Sequence, residues 1–336
     1  MDKAVNTVLD LIENATNLTV VKDFLKSKGL HHSASGWDEI RNKRILPALE
    51  EGKLSFSDLV GLLCDVEEHG SQHVFLFGCS KKRSMELLAP ERIKELLTSM
   101  GALNLMSNPL ILDKPQAPTI TDVRLSPDIG LVIKVIEKRI SREFIGEEEL
   151  ENGVYVRKYQ QIVERAVNIA KLHPDGLLEI RISSHRNSSN YKWDVDSLRK
   201  RVSDFIPIAE FLPISIGIAK DRLWKDRASL SPEIRFSAST FRNDFGSQIR
   251  ASAGSLDEDL FEDEGVEESL EKFVEHDAYC DTTNIWFLID KTRQDGKKIH
   301  VILSGELNEF SITTHCTMSD YEYVLNRIRS LNQPLS

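Results

Sequence analysis

Three groups of residues in this 336-residue chain have types and spacings that could do chemistry. The first is Asp175 with Glu179 and Arg181: two carboxylates can hold magnesium while a cation steers the attacking water, the arrangement that hydrolyses phosphodiesters. Glu179 and Arg181 alternate along an apolar run and so share one face of a strand, where a cross-strand surface ion pair is the simpler use for them. The second is Cys64, His69, His73 and Cys79, four possible zinc ligands close in sequence. His69 and His73 are spaced for one helical face, but Gly70 between them reads as a helix stop. Zinc sites also more often begin with cysteines two to four residues apart, and Cys64 ends the apolar run LVGLLC, as a buried thiol would. The third is Ser183-Ser184-His185, which with the isolated His300 and His315 lacks a third partner that sequence can place. Neither a glycine-rich phosphate loop nor a Gly-x-Ser-x-Gly elbow occurs. The expectation is a binding protein without catalysis, cofactor or bound metal, with a metal-dependent nuclease as the enzymatic alternative.

Binding chemistry rests on the cations. Lys22, Lys26 and Lys28 fall on one predicted helix and Arg41, Lys43 and Arg44 on the next. A second group, Arg199, Lys200, Arg201, Lys220, Arg222, Lys225 and Arg227, has Trp193 and Trp224 nearby as stacking candidates. Phosphates are held by cations on one face, with affinity that falls as salt rises. The opposing view is that these are solvated faces balanced by neighbours such as Asp221 and Asp226. The net charge of −10 does not exclude a basic patch. Residues 257–277 alone carry eleven acids and one lysine, so the rest of the chain is balanced. That acidic segment reads as a loop and then a helix with Leu270, Phe273 and Val274 inward; the alternative is an acidic mimic lying in a basic groove.

The elements that must position these residues change period along the chain. Apolar spacing predicts helices over 4–14, 18–29 and 37–49, a fourth capped by Ser55 or Ser57, and a fifth over 90–100. With His73–Cys79 and Lys81–Arg83 counted into it, the N-terminal region reads as a small all-α bundle, residues 1–103. Pro109, Pro115 and Pro118 mark a linker over 104–118. Strands follow at 129–136, 177–182, 285–289, 299–303 and 310–314, with a hairpin turn at Gln294-Asp295-Gly296 and helical signals at 158–171, 194–205 and 319–331. Residues 119–336 are therefore expected to form a mainly antiparallel α+β domain. Without a long apolar run or a signal-like N-terminus, and with Cys64, Cys79, Cys280 and Cys316 unpaired in spacing, the chain is expected in a cytoplasm with its thiols reduced.

Leu18-x-Val20, Phe24-Leu25, Gly29-Leu30, Ser35-Gly36 and Ile40 through Arg44 together resemble the SAP module, a helix–turn–helix hairpin of DNA-binding and chromatin proteins. The likeness spans residues 18–46. It implies a nucleic-acid partner for Lys22, Lys26, Lys28, Arg41, Lys43 and Arg44, although the position that is usually basic in that family is Asp38 here. A helical bundle before an antiparallel α+β domain is also similar to the architecture of the centromere protein N and Chl4 family, which implies protein and nucleosomal DNA partners. The remaining alternative is a protein-only adaptor or sensor subunit in a multi-component system, such as bacterial phage defence.

Overall fold

The computed structural model describes residues 3–150, 153–185, 190–255, 258–289 and 297–334. The fold is α+β: a helical N-terminal region precedes a sheet-rich remainder in which every described strand pairing is antiparallel. Helix α1 (Lys3–Ala15) buries Val8, Leu9, Leu11 and Ile12. In α2 (Leu18–Ser27) the side chain of Asn17 caps the first turn, and Gly29, at φ 70°, ends the helix. Helix α3 (Trp37–Ile40) runs through a π turn at Arg41–Ile45 into α4 (Leu46–Glu50). Pro47 accounts for that turn: it has no N–H to give the carbonyl four residues back, and the helix widens to a five-residue step just before it. Helix α5 (Phe56–Glu68) starts at a reciprocal capping box between Ser55 and Asp58.

The chain continues with β1 (Gly70–Gly78), α6 (Lys81–Leu87), α7 (Pro90–Ser99), β2 (Thr119–Ser126), β3 (Gly130–Leu150), β4 (Val154–Leu172) and β5 (Leu177–Ser183). Next come α8 (Lys192–Arg201), β6 (Leu212–Pro213), α9 (Gly217–Lys225), α10 (Arg227–Leu230), β7 (Ile234–Arg242) and β8 (Gln248–Ser252). The last elements are α11 (Glu264–Val274), β9 (Tyr279–Leu288), β10 (Lys298–Leu303), β11 (Glu309–His315) and α12 (Met318–Leu331).

These elements form two compact units, residues 1–79 with 177–188 and 209–336, and residues 80–176 with 189–208. They do not follow a division at 104–118, and the reason is β1. His73–Cys79, expected inside a helical bundle, lies on and just after a strand paired on one side with β5 and on the other with β11. Its run Val74–Phe77 is buried on both faces, and a short apolar run of that kind carries no period that tells strand from helix. The sheet thereby claims the helices before β1 for its own unit, and the three prolines fall inside the other.

The first unit holds a sheet in the order β5-β1-β11-β10-β9-β7-β8, with β6 pairing the end of β1. One sheet face carries Val74, Leu76, Phe310, Ile312, Ile299, Val301, Ile285, Phe287 and Phe236, packed against Leu223 of α9 and Val324, Leu325 and Ile328 of α12. The pair β9–β10 is antiparallel as expected; the turn residues Gln294-Asp295-Gly296 lie outside the described residues. The second unit is built on β2, β3 and β4. Its β4 corrects the helical expectation at 158–171. Ile162, Val163, Ala166, Val167 and Ala170 recur at helical spacing, but residues 166–172 are buried on both sides of a strand, which removes the alternation that would have announced it.

Candidate partner-binding surfaces

Glu179 and Arg181 share a strand face, as their spacing predicts, but that face is the core. Glu179 is 0% and Arg181 3% exposed, so the expected surface pair is a buried one, formed along a single strand instead of across two. The Arg181 Nε donates to Glu179 Oε2 at 2.9 Å and its Nη1 donates to the Glu68 carbonyl at 3.2 Å. The hydroxyl of Tyr321, on α12, donates to the same Glu179 oxygen, and the tyrosine ring lies 3.9 Å under the guanidinium. Burial opposes the charge on Arg181, yet Glu179 and Tyr321 outweigh it and hold its pKa above the ordinary value; burial first and Glu179 second push Tyr321 well up. Asp175 is an exposed residue of the turn before β5, whereas the Glu179 carboxylate is closed off from water. A carboxylate that must bind magnesium and turn over substrate needs open coordination positions, so this geometry gives nuclease chemistry at Asp175, Glu179 and Arg181 no support.

The four metal-ligand candidates are spread over a helix, its end and a strand. Cys64 sits on α5, His69 is the extended residue that caps the C-terminus of that helix, His73 is on β1 and Cys79 follows it. His69 Nδ1 is 3.1 Å from the Asp65 carbonyl, and its ring lies 5.7 Å from Tyr321 on the core face. His73 turns to the other face, where Nδ1 meets Glu309 Oε1 at 2.5 Å. Gly70, at φ 85°, breaks the helix between them, as its position in the sequence suggests. His300 is 2.7 Å from the Thr313 hydroxyl, and burial lowers the pKa of both His300 and His315.

Acids already occupy most of the N-terminal cations. Lys28 bonds Asp58 at 2.5 Å, and that bond, with those from Ser55, drives the Asp58 pKa far down. Arg41 bonds Asp10 at 2.5 Å and Asn6 at 2.8 Å. Arg44 bonds the Ser33 carbonyl at 2.9 Å and, like Lys43, lies near Glu39. Glu39 itself is lowered to about 2, chiefly by the backbone and hydroxyl of Ser35. These bonds pin the polar turn of the hairpin to its second helix. Among the described residues, Lys22 and Lys26 of α2 are left without such an acid, and Asp38 sits in the first turn of α3.

In the second unit Lys200 and Arg201, at the end of α8, line a groove of about 760 Å³ with Leu97, Met100, Leu105 and Ile120. Arg199 lies 3.9 Å from Asp196, and Trp193 is 84% exposed. Trp224 is no stacking platform: it is buried, packed edge-on against Phe241 and Phe261, with Arg227 over its ring at 4.2 Å. Lys225 is exposed, while Lys220 is buried against the Asp281 and Ser304 carbonyls. The acidic segment, whose first residue Asp257 lies outside the described residues, forms α11. Leu270 is fully buried, with Phe273 and Val274 packed on the Trp224 cluster, while Glu267 and Glu271 clasp Arg227.

A further exposed surface is one that residue types did not flag. Strands β3 and β4 stay paired from Leu131 opposite Leu172 out to Leu150 opposite Val154, far beyond the end of β2. From Ile140 to Val163 the ribbon is an arm of two strands. The register puts Ile140 and Val163, Arg142 and Gln161, Phe144 and Tyr159, Glu147 and Arg157, and Glu149 and Tyr155 on one face, with a bulge between Phe144 and Gly146. Phe144 and Tyr159 touch edge to face at 5.8 Å and are each more than half exposed, as are Ile140 and Tyr155. An isolated two-stranded hairpin is marginal in water, and here its largest apolar side chains face solvent. In the sequence the arm shows only apolar residues mixed with charged ones, in REFIG and VYVRKY, and the register alone shows that Phe144, Tyr155 and Tyr159 share a face. All four cysteines are free thiols, and burial pushes Cys280 and Cys316 up to about 12. No helix among the described residues is long and apolar enough to cross a membrane. No protein-family model, curated protein or solved structure matches this chain.

Proposed function

We propose that this chain is a non-catalytic binding protein whose partner is a protein, held on the exposed face of the β3–β4 arm. The observation that carries this reading is the stripe of Ile140, Phe144, Tyr155, Tyr159 and Val163, wet on a ribbon that has no second layer among the described residues. Rigid aromatics flanked by charged residues are the composition of interface anchors, and burying them supplies binding energy that solvated lysines do not. A photoreactive amino acid placed at Phe144 in cells should give discrete crosslinked bands, whereas the same group at the exposed Lys225 should give none. Equal, diffuse labelling at both positions would reject the reading.

A second reading, nucleic acid held by the N-terminal helices, keeps support from Lys22 and Lys26, which reach solvent and form no ion pair among the described residues, although Asp23 lies between them on α2. Two phosphate contacts give weak, strongly salt-dependent affinity. Changing both lysines to glutamate should then abolish any low-salt shift of duplex DNA, leaving the Arg41 and Arg44 ion pairs intact. An unchanged shift would remove this surface from consideration.

A further inference from the structure

The arm has a pattern that a chance apolar stripe lacks. About the pair Phe144–Tyr159, the exposed face is balanced outward in both directions. Four residues along β4 toward the root is Val163, beside Ile140; four residues toward the tip is Tyr155. Each step is about 13 Å at the usual strand rise. Two residues along β4 toward the root is Gln161, beside Arg142; two toward the tip is Arg157, beside Glu147, which the bulge sets three residues from Phe144 on β3. The face therefore has an aromatic or aliphatic side chain at its centre and at both ends, with Glu149 beside Tyr155 at the tip end, a cation on β3 on one side of centre and a carboxylate on β3 on the other.

We propose that the occupant of this face is the same face of a second copy of the chain. The inference rests on the reading of the arm as a protein-binding element and names its partner. A two-fold axis running across the ribbon at Phe144–Tyr159 lays two arms antiparallel, β3 over β3 and β4 over β4. Each Phe144 and Tyr159 then meets its own counterpart. Each Val163 comes to the level of the other copy's Tyr155, and each Arg142 to the other copy's Glu147. A closed two-fold contact demands this self-complementarity: whatever lies a given distance to one side of the axis must suit what lies the same distance to the other. Arg142 is exposed, and Glu147, bonded to Arg157 at 2.9 Å, keeps its carboxylate at the surface. Ile140 comes over the other copy's Glu149 on β3, with Tyr155 beside that carboxylate on β4 as the apolar surface within its reach. A partner unrelated to this chain would need no such symmetry about one aromatic pair.

The test uses the purified full chain and its mass in solution as a function of concentration, by sedimentation or light scattering. The parent protein should be a reversible dimer. The double change Phe144→Glu with Tyr159→Glu should weaken dimerisation at least about thirtyfold, the effect of losing a central aromatic anchor. Circular dichroism should be unchanged, because both positions are exposed. Arg142→Glu alone and Glu147→Arg alone should each weaken the dimer by setting like charges across the axis. An equimolar mixture of those two variants should recover it as a heterodimer, because the all-acidic face of one then meets the all-basic face of the other at both positions. A parent protein that stays monomeric, or a dimer indifferent to all these changes, overturns the inference. If the chain is monomeric while Phe144 crosslinks to a different protein in cells, the arm keeps its binding role and only the second copy is rejected. If Phe144 gives no discrete crosslink and no dimer, both fall together.

Discussion

Glu179→Leu should cost the fold about 3–5 kcal/mol, read as a lower denaturant midpoint at unchanged cooperativity, because it leaves Arg181 buried without its carboxylate. The magnitude follows from where the charge sits. Arg181 is 3% exposed, its remaining hydrogen bond goes to the Glu68 carbonyl, and the Glu68 carboxylate, a weaker influence on it than Glu179, acts through space while the Tyr321 ring beneath offers only a quadrupole. Tyr321→Phe keeps that ring and removes only the hydroxyl that bonds Glu179, so its loss should be smaller, about 1.5–3 kcal/mol for a hydrogen bond to a charged group. The double change Glu179→Leu with Arg181→Met should return most of what the single change loses, since a buried ion pair replaced by apolar groups of similar volume is often neutral. A Glu179→Leu protein as stable as its parent would show that the pair holds nothing together. A double variant worse than the sum of the singles would mean that it fixes the seating of α12, beyond its own energy.

Gly70→Ala should be nearly as damaging, at about 3 kcal/mol or more, and for a backbone reason. The residue sits at φ 85°, and a Cβ there would lie 2.2 Å from the Thr314 carbonyl oxygen and 2.8 Å from the His315 Cα. Neither neighbour is a flexible side chain end; both belong to β11, paired with β1 and fixed by the sheet. Gly29 supplies the comparison. Its φ is 70°, yet a methyl added there would meet nothing within 4 Å, so Gly29→Ala should cost only the left-handed conformation, about 1–2 kcal/mol. Thermal unfolding of the two variants side by side separates the strain they share from the clash that only Gly70 has. Equal losses would show that β11 can move away.

Local chemistry made the helices legible. Ser55, Gly29 and the 3.6-residue spacing of Val8, Leu9 and Ile12 act within a few residues of each other, and the structure puts a cap, a helix stop and a buried face where those residues predict; the cap at Asn17 is the structure's addition. Strands buried on both faces were legible only where residue type or surroundings marked them: 129–136 and 177–182 read as strands from their branched residues, whereas Val74–Phe77 lay among helical signals and the alanines of 166–172 fell at helical spacing, with no alternation to correct either. The site candidates divided the same way. That Glu179 and Arg181 share a face follows from the two-residue period, but nothing near them in sequence says that the face is covered, because the covering residue, Tyr321, is 142 residues from Glu179. The acids opposite Lys28 and Arg41 were likewise invisible, at separations of 30 and 31 residues. The arm is illegible for another reason: its distinguishing property is apolar surface in the wrong place, which no pattern of charged or nucleophilic residues marks.

The position of β1 also bears on how the chain is assembled. A strand that begins at Gly70 is hydrogen-bonded to one that begins at Glu309, and the His73–Glu309 contact closes a separation of 236 residues. During synthesis the N-terminal helices emerge with their capping and local contacts complete, while β1, with its apolar run Val74–Phe77, waits for almost the whole remaining chain before its second edge is covered. Closing so long a loop adds entropy cost only slowly with length, but contacts this distant slow folding and leave an apolar edge open in the meantime. The last strand and α12 therefore act as the closing step of the first unit, delivering β11 to β1 and Tyr321 to the Glu179–Arg181 pair in one event. A ribosome-released chain cut short before Glu309 would carry an exposed, aggregation-prone strand near its beginning, however well the helices ahead of it had folded.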